Sequence, residues 1–151
     1  MKSITYFVSL FLLALIILSC KKDSGKEDLN PKDILTSHSW KLISRAKNGV
    51  EQTLNECDQG DCWIYLINGD LQVQHGNLTC YPNGPNTVYY CPWTLSDDEK
   101  TLTITVGTNS SSREISFSGN KLIMTFQIDF MSNIDTYIDT YVPCEQLNSP
   151  K

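Results

Sequence analysis

The chain has 151 residues, of which 40% are hydrophobic, and a formal net charge of −5. A mildly acidic chain with no cluster of Lys and Arg excludes nucleic acid as a partner, because phosphate has to be met by a basic face. It equally excludes docking on anionic lipid by charge alone. The metal reading is poor: there is no Cys-x-x-Cys pair, and His38 and His75 stand isolated. No cofactor is implied.

The N-terminus is a targeting segment by its pattern. Met1–Ser3 carries one positive charge, Tyr6–Leu18 is apolar apart from Ser9, and polarity returns at Lys21-Lys22-Asp23. This is the layout of a secretory signal, and the apolar run is shorter than the roughly 20 residues a spanning helix needs. Ile17-Leu18-Ser19-Cys20 resembles the lipobox of bacterial lipoprotein precursors, with an aliphatic first position, a small residue before the cut, and the Cys whose thiol takes the lipid. The expectation is removal of residues 1–19 and lipidation of Cys20 by a diacylglyceryl group and an acylated amine. That places the protein in the cell envelope, anchored to the outer membrane. A tether over residues 20–33, a folded domain over 34–144 and a tail over 145–151 follow.

Asn30-Pro31-Lys32-Asp33-Ile34-Leu35 predicts a short helix, with Asn30 as cap and Pro31 at the first position. Beyond it, helical periodicity gives way to short strand-like runs separated by turn residues. The runs are 40–46, 62–67, 71–75, 88–95, 101–106, 113–117, 121–128 and 134–142. Asn48-Gly49 ends the first, and Asn68-Gly69-Asp70 joins the second to the third in a tight hairpin. Pro92 marks an edge or a bulge. The stretches 81–86 and 107–112 read as loops. Alternation is clear where Leu102, Ile104 and Val106 oppose Thr101, Thr103 and Thr105. Eight consecutive strands with short connections predict an all-β fold, an antiparallel up-and-down barrel.

Besides Cys20, the chain has Cys57, Cys62, Cys80, Cys91 and Cys144. In an exported protein these read as a disulfide framework whose connectivity sequence does not decide. Trp40, Trp63, Tyr65, Trp93 and Phe126 are candidate ligand-lining residues. Core packing is the commoner fate of such side chains. Ile134-Asp135-Thr136-Tyr137 repeats at once as Ile138-Asp139-Thr140-Tyr141, putting both Asp and both Tyr on one strand face. The favoured reading of that face is a solvated outer surface. No serine has a recognisable His and Asp partner, and nothing marks a glycosidase-type carboxylate pair, so no catalytic residue is assigned and a non-enzymatic protein is expected.

Trp40-Lys41-Leu42-Ile43-Ser44, Asn48-Gly49-Val50, Cys57 with Asp61 and Tyr65, Asn68-Gly69-Asp70, Cys80, Trp93-Thr94-Leu95-Ser96-Asp97-Asp98, Lys100-Thr101-Leu102 and Tyr141-Val142-Pro143 resemble, in order and spacing, the lipocalin-like domain of Bacteroidota lipoproteins. The likeness runs from about Leu35 to Pro143. It departs from true lipocalins at His38, where they carry the Gly of Gly-x-Trp, and in lacking their Thr-Asp-Tyr loop. The resemblance implies a Cys57–Cys80 disulfide. A second bridge between Cys62 and Cys91 is the next candidate, the crossed pairing stays open, and Cys144 is expected to be the unpaired thiol. The implied role is binding of a small apolar or amphipathic ligand in the barrel mouth. The alternative is an envelope module with a filled core that binds protein or glycan, using the tyrosines Tyr81, Tyr89 and Tyr90.

Overall fold

The computed structural model describes residues 29–76 and 88–144. Cys20, Cys80 and Tyr81 therefore lie outside the described residues. Helix α1, Pro31–Ser37, comes first, and Asn30 caps it by accepting the Asp33 N–H at 2.7 Å. The chain then forms β1 (Ser39–Lys47), β2 (Val50–Gln52), a short helix α2 (Glu56–Gly60), β3 (Cys62–Tyr65), β4 (Asp70–Gln74), β5 (Val88–Leu95), β6 (Thr101–Val106), β7 (Asn109–Ser118), β8 (Lys121–Phe130) and β9 (Asn133–Pro143).

Neighbouring strands pair antiparallel in the order β2-β1-β3-β4-β5-β6-β7-β8-β9, and β1 also pairs with β9. That last pairing closes eight strands into a barrel and leaves β2 as an additional strand folded back on β1. The eight predicted runs are the eight barrel strands. β2 and α2, too short for a periodic signal, were not legible. Ser110–Ser112 was expected in a loop but belongs to β7. Its hydroxyls pair across the ladder, Thr103 with Ser112 at 3.0 Å and Thr105 with Ser110 at 2.9 Å.

The two Asn-Gly turns differ. Asn48 and Gly49 both take positive φ, 51° and 80°, as a two-residue hairpin between right-twisted strands requires. At the second turn only Gly69 does, at 91°. There the Gly69 N–H donates to Leu66 O, and Asn68 Oδ1 accepts the Asp70 N–H.

One end of the barrel is closed and filled. Leu35 of α1 is fully buried beneath it, and the Trp40 indole N–H donates to the Leu35 carbonyl at 2.9 Å. Trp40, Tyr65, Leu71, Leu102, Leu122, Met124 and Tyr141 are each buried to within 1%. Near the other end the wall loosens. β7 pairs with β8 only up to Glu114↔Thr125, and β5 pairs with β6 only up to Trp93↔Ile104. Among the described residues, no ladder pairing joins the β6–β7 hairpin above those points to β5 or β8. Pro92, which has no N–H to give, is the first residue of β5 above its last pair with β6, a local edge.

A bulge in β1 sets which side chains enter the open end. Leu42 lies opposite Tyr141, but Ser44 lies opposite Thr140, so Ile43 is an extra residue. One inserted residue reverses the facing of all that follow. Trp40 and Leu42 point inward before it, and Arg45 and Lys47 after it. Without the bulge Ser44 and Ala46 would take those places.

The cysteines correct the expected pairing. Cys62 is bonded to Cys144, so Cys144 is not the unpaired thiol; among the described cysteines that is Cys91. Cys62 lies opposite the exposed Lys41 on the outer face, whereas Cys91 packs against the core, and residues on opposite faces cannot bridge. The crossed pairing of Cys57 with Cys91 and Cys62 with Cys80 falls with it. Closure of β1 on β9 brings Cys144, whose N–H donates to Ser39 O, beside the start of β3. Cys57 is itself disulfide-bonded.

Candidate functional site

The open half of the barrel gathers charge and aromatic surface. On β9 the repeated Ile-Asp-Thr-Tyr places Asp135, Tyr137, Asp139 and Tyr141 inward. Asp139 has no exposure and Tyr141 has 1%, while Ile134 and Ile138 face out. The expectation of a solvated outer face for this set is thereby corrected. The reason lies on β1, where the bulge turns Arg45 and Lys47 toward these carboxylates. Arg45 Nε and Nη2 donate to the two oxygens of Asp139 at 2.7 and 2.6 Å. That bonding raises the Arg45 pKa above its ordinary value. Lys47 Nζ meets Asp135 at 2.8 Å and holds its carboxyl below the usual range.

Aromatic rings link the cations. Phe126 stacks on Tyr137 with centroids 5.4 Å apart and planes 11° apart. The Arg113 guanidinium lies 4.7 Å from the Phe126 ring and 5.6 Å from that of Trp63. Trp63 in turn meets Tyr141 edge-on at 6.1 Å. Burial pushes the Tyr65 and Tyr141 hydroxyls well above the ordinary phenol range.

Helix α2 covers one side. Asn55 caps it through the Asp58 N–H, and Gly60 lets it rest on Gly76 at the end of β4. A Cβ at Gly76 would stand 2.8 Å from the Gly60 carbonyl oxygen, so only glycine fits there. This approach brings Asp61 to His75, Oδ2 to Nδ1 at 2.9 Å, both residues buried. Between α2 and the barrel interior, Leu42, Arg45, Asp58, Asp61, Trp63, Val73, His75 and Tyr141 line a cavity of about 140 Å³. A wider groove of about 450 Å³ runs over the outer face where β7 and β8 part, between Ser112, Glu114, Thr125 and Gln127, with Arg113 and Phe126 reaching it from the inward face.

The aromatic candidates from sequence separate accordingly. Trp63 lines the cavity, and Phe126 borders the groove between β7 and β8. Trp40 and Trp93 lie in the filled end at 1% and 5% exposure. Tyr65 is buried between them and the open half, edge-on to Trp93 at 5.6 Å. Sequence reasoning passed over Arg45 and Arg113, set His75 aside as isolated, met Asp61 only within the family resemblance and placed Asp139 on a solvated face. The available signal was the match between two basic residues spaced two apart on β1 and acidic residues on β9. Using it required knowing that those strands pair. Tyr90 is 65% exposed, and so are apolar residues on the rim, with Phe130 at 65% and Met131 at 83%.

A search of curated proteins found no match. Among solved structures, a complex of bovine odorant binding protein with a selenium-containing odorant is 14% identical, covering 81% of this chain and 77% of that one with a TM-score of 0.44. Bovine odorant binding protein with its natural ligand is 13% identical, covering 83% and 79% with a TM-score of 0.45. The lipocalin-like domain family matches residues 36–124, and on that match, with the closed barrel around it, the chain belongs to the lipocalin-like domain family.

Proposed function

We propose that this protein is a non-enzymatic, lipid-anchored binding protein that holds a small amphipathic molecule in the open half of its barrel. The observation that carries the binding role is the cavity under α2. Apolar walls from Leu42, Trp63 and Val73 converge there with the polar groups of Arg45, Asp58, Asp61, His75 and Tyr141. A concave, mostly preformed site with a few convergent polar groups is the usual form of a small-molecule site. At about 140 Å³ it suits a compact molecule, or one end of a longer molecule.

Native mass spectrometry after mild extraction is expected to show wild-type protein carrying a small molecule. Val73→Trp, which fills the cavity from the wall, is expected to fold and lose that molecule. Wild-type protein free of any small molecule, or an adduct that survives Val73→Trp, defeats this reading. The exposed rim residues Phe130 and Met131 would then favour the second reading, a docking module for an envelope protein or glycan.

The anchor rests on Ile17-Leu18-Ser19-Cys20 at the end of the apolar run. Three acyl chains, each methylene contributing about 0.8 kcal/mol, hold a protein on a membrane far more firmly than one chain does. Cys20→Ala is expected to abolish processing and lipid attachment while leaving the barrel folded. A processed, membrane-partitioning Cys20→Ala protein overturns the anchor.

A further inference from the structure

Among the described residues, the open half of the barrel holds one cation that belongs to no ion pair. Among the described residues the ion pairs are Arg45–Asp139, Lys47–Asp135 and His75–Asp61. Arg113, which points inward between Leu102 and Phe126, belongs to none of them. Glu114, the next residue, faces the outer surface opposite Thr125. The Arg113 guanidinium is held by ring faces and by a weak contact of Nη1 with Met124 Sδ at 3.9 Å. Its Nε is buried without a hydrogen-bond partner. The Tyr65 hydroxyl, on a residue only 1% exposed, is the second such buried polar atom among the described residues. Geometry brings the two groups near each other: the Arg113 guanidinium lies over the Trp63 ring, and Trp63 and Tyr65 are alternate residues on the inward face of β3.

Two donors left unmet inside a closed barrel are costly, each by the desolvation of its group. Both lack an acceptor, and one also lacks a negative charge. On the reading that the open half binds an amphipathic molecule, we infer that Arg113 and Tyr65 together recognise the carboxylate of that molecule, with its apolar part against Trp63 and Phe126. A monocarboxylate matches one unpaired guanidinium and one neutral hydroxyl. A phosphate monoester would bring a second negative charge, and the other inward cations among the described residues, Arg45 and Lys47, are already paired.

The test is calorimetric titration of the full chain, in mild detergent, with hexanoate, hexanol, hexylamine and hexyl phosphate. These share one apolar part and differ in the head. Hexanoate is expected to bind about tenfold or more tighter than the other three, the scale of a charge-assisted hydrogen bond. Arg113→Met, which keeps the stem and removes the charge, should erase that preference, and Arg113→Lys should restore part of it. Tyr65→Phe should weaken hexanoate by about threefold to tenfold and leave hexanol unchanged. It should also melt no lower than wild type, because it removes an unsatisfied buried hydroxyl. Equal binding of hexanol and hexanoate overturns the carboxylate assignment and leaves the ligand reading standing. Tighter binding of hexyl phosphate or hexylamine overturns it in favour of another head group. An Arg113→Met protein that keeps the preference shows the arginine to be structural and overturns the assignment. Failure of all four probes to bind overturns the assignment together with the small-molecule reading.

Discussion

Replacing Cys62 and Cys144 together by Ser is expected to lower the stability of the oxidised protein by about 4 kcal/mol, read as a shift in guanidinium midpoint. The bridge joins residues 82 apart in sequence. In the chain-entropy model, closing a loop of that length removes about 4.5 kcal/mol of freedom from the unfolded chain, and measured values lie in the range of about 2–5 kcal/mol. The location adds to the effect. Cys144 follows β9, and Cys62 starts β3, so the bond ties together strands on the two sides of β1 at the seam where the barrel closes. Cys91→Ser should leave the bridge intact and change the midpoint little. A large loss in Cys91→Ser with none in the double variant would mean that the pairing in solution differs from Cys62–Cys144.

Arg45→Ala should cost about 3–5 kcal/mol, the scale for leaving one member of a buried ion pair behind. Asp139 is completely buried and takes two hydrogen bonds from Arg45. Without them it retains the Tyr141 hydroxyl, 3.3 Å away, as a donor. The arginine is the more damaging partner to lose, because its own side chain is 31% exposed and can reach water, whereas the aspartate cannot. For the same reason Arg45→Met combined with Asp139→Leu should be more stable than Arg45→Ala, since neither charge is then stranded. Urea unfolding of wild type, Arg45→Met, Asp139→Leu and their combination completes the cycle. A loss below about 1 kcal/mol in Arg45→Ala would show that water reaches Asp139, and the pair would then carry no structural weight.

Strand positions and the closed barrel were legible in the sequence because period-two patterning and turn chemistry are local. Leu102-Thr103-Ile104 alternates, and Asn48-Gly49 supplies its own positive φ angles. Trp40, Trp63, Tyr65, Trp93 and Phe126 could be named as inward aromatics on the same grounds. Which of them fill the core and which line the cavity was not legible. That depends on depth along the barrel axis, set by strand register and by α1 plugging one end. The facing of Asp135 and Asp139 escaped for a different reason. A polar residue on a strand reads as outward until its counter-charge is known, and the counter-charge here comes from residues 94 positions away in the case of Arg45 and Asp139.

The sequence by itself determined the succession of strands, their turns, the family and the pattern at Cys20 from which an anchor is proposed. Tertiary structure alone decided the Cys62–Cys144 bond, the inward set of charges and the unpaired state of Arg113. The first follows from the closure of β1 on β9, the second from that closure together with the bulge at Ile43, and the third from the β6–β7 register that turns Arg113 inward. Closure sets which strand ends become neighbours, and one inserted residue reverses the face of every residue after it. None of these leaves a local mark in composition or periodicity, because all are properties of how the strands pair.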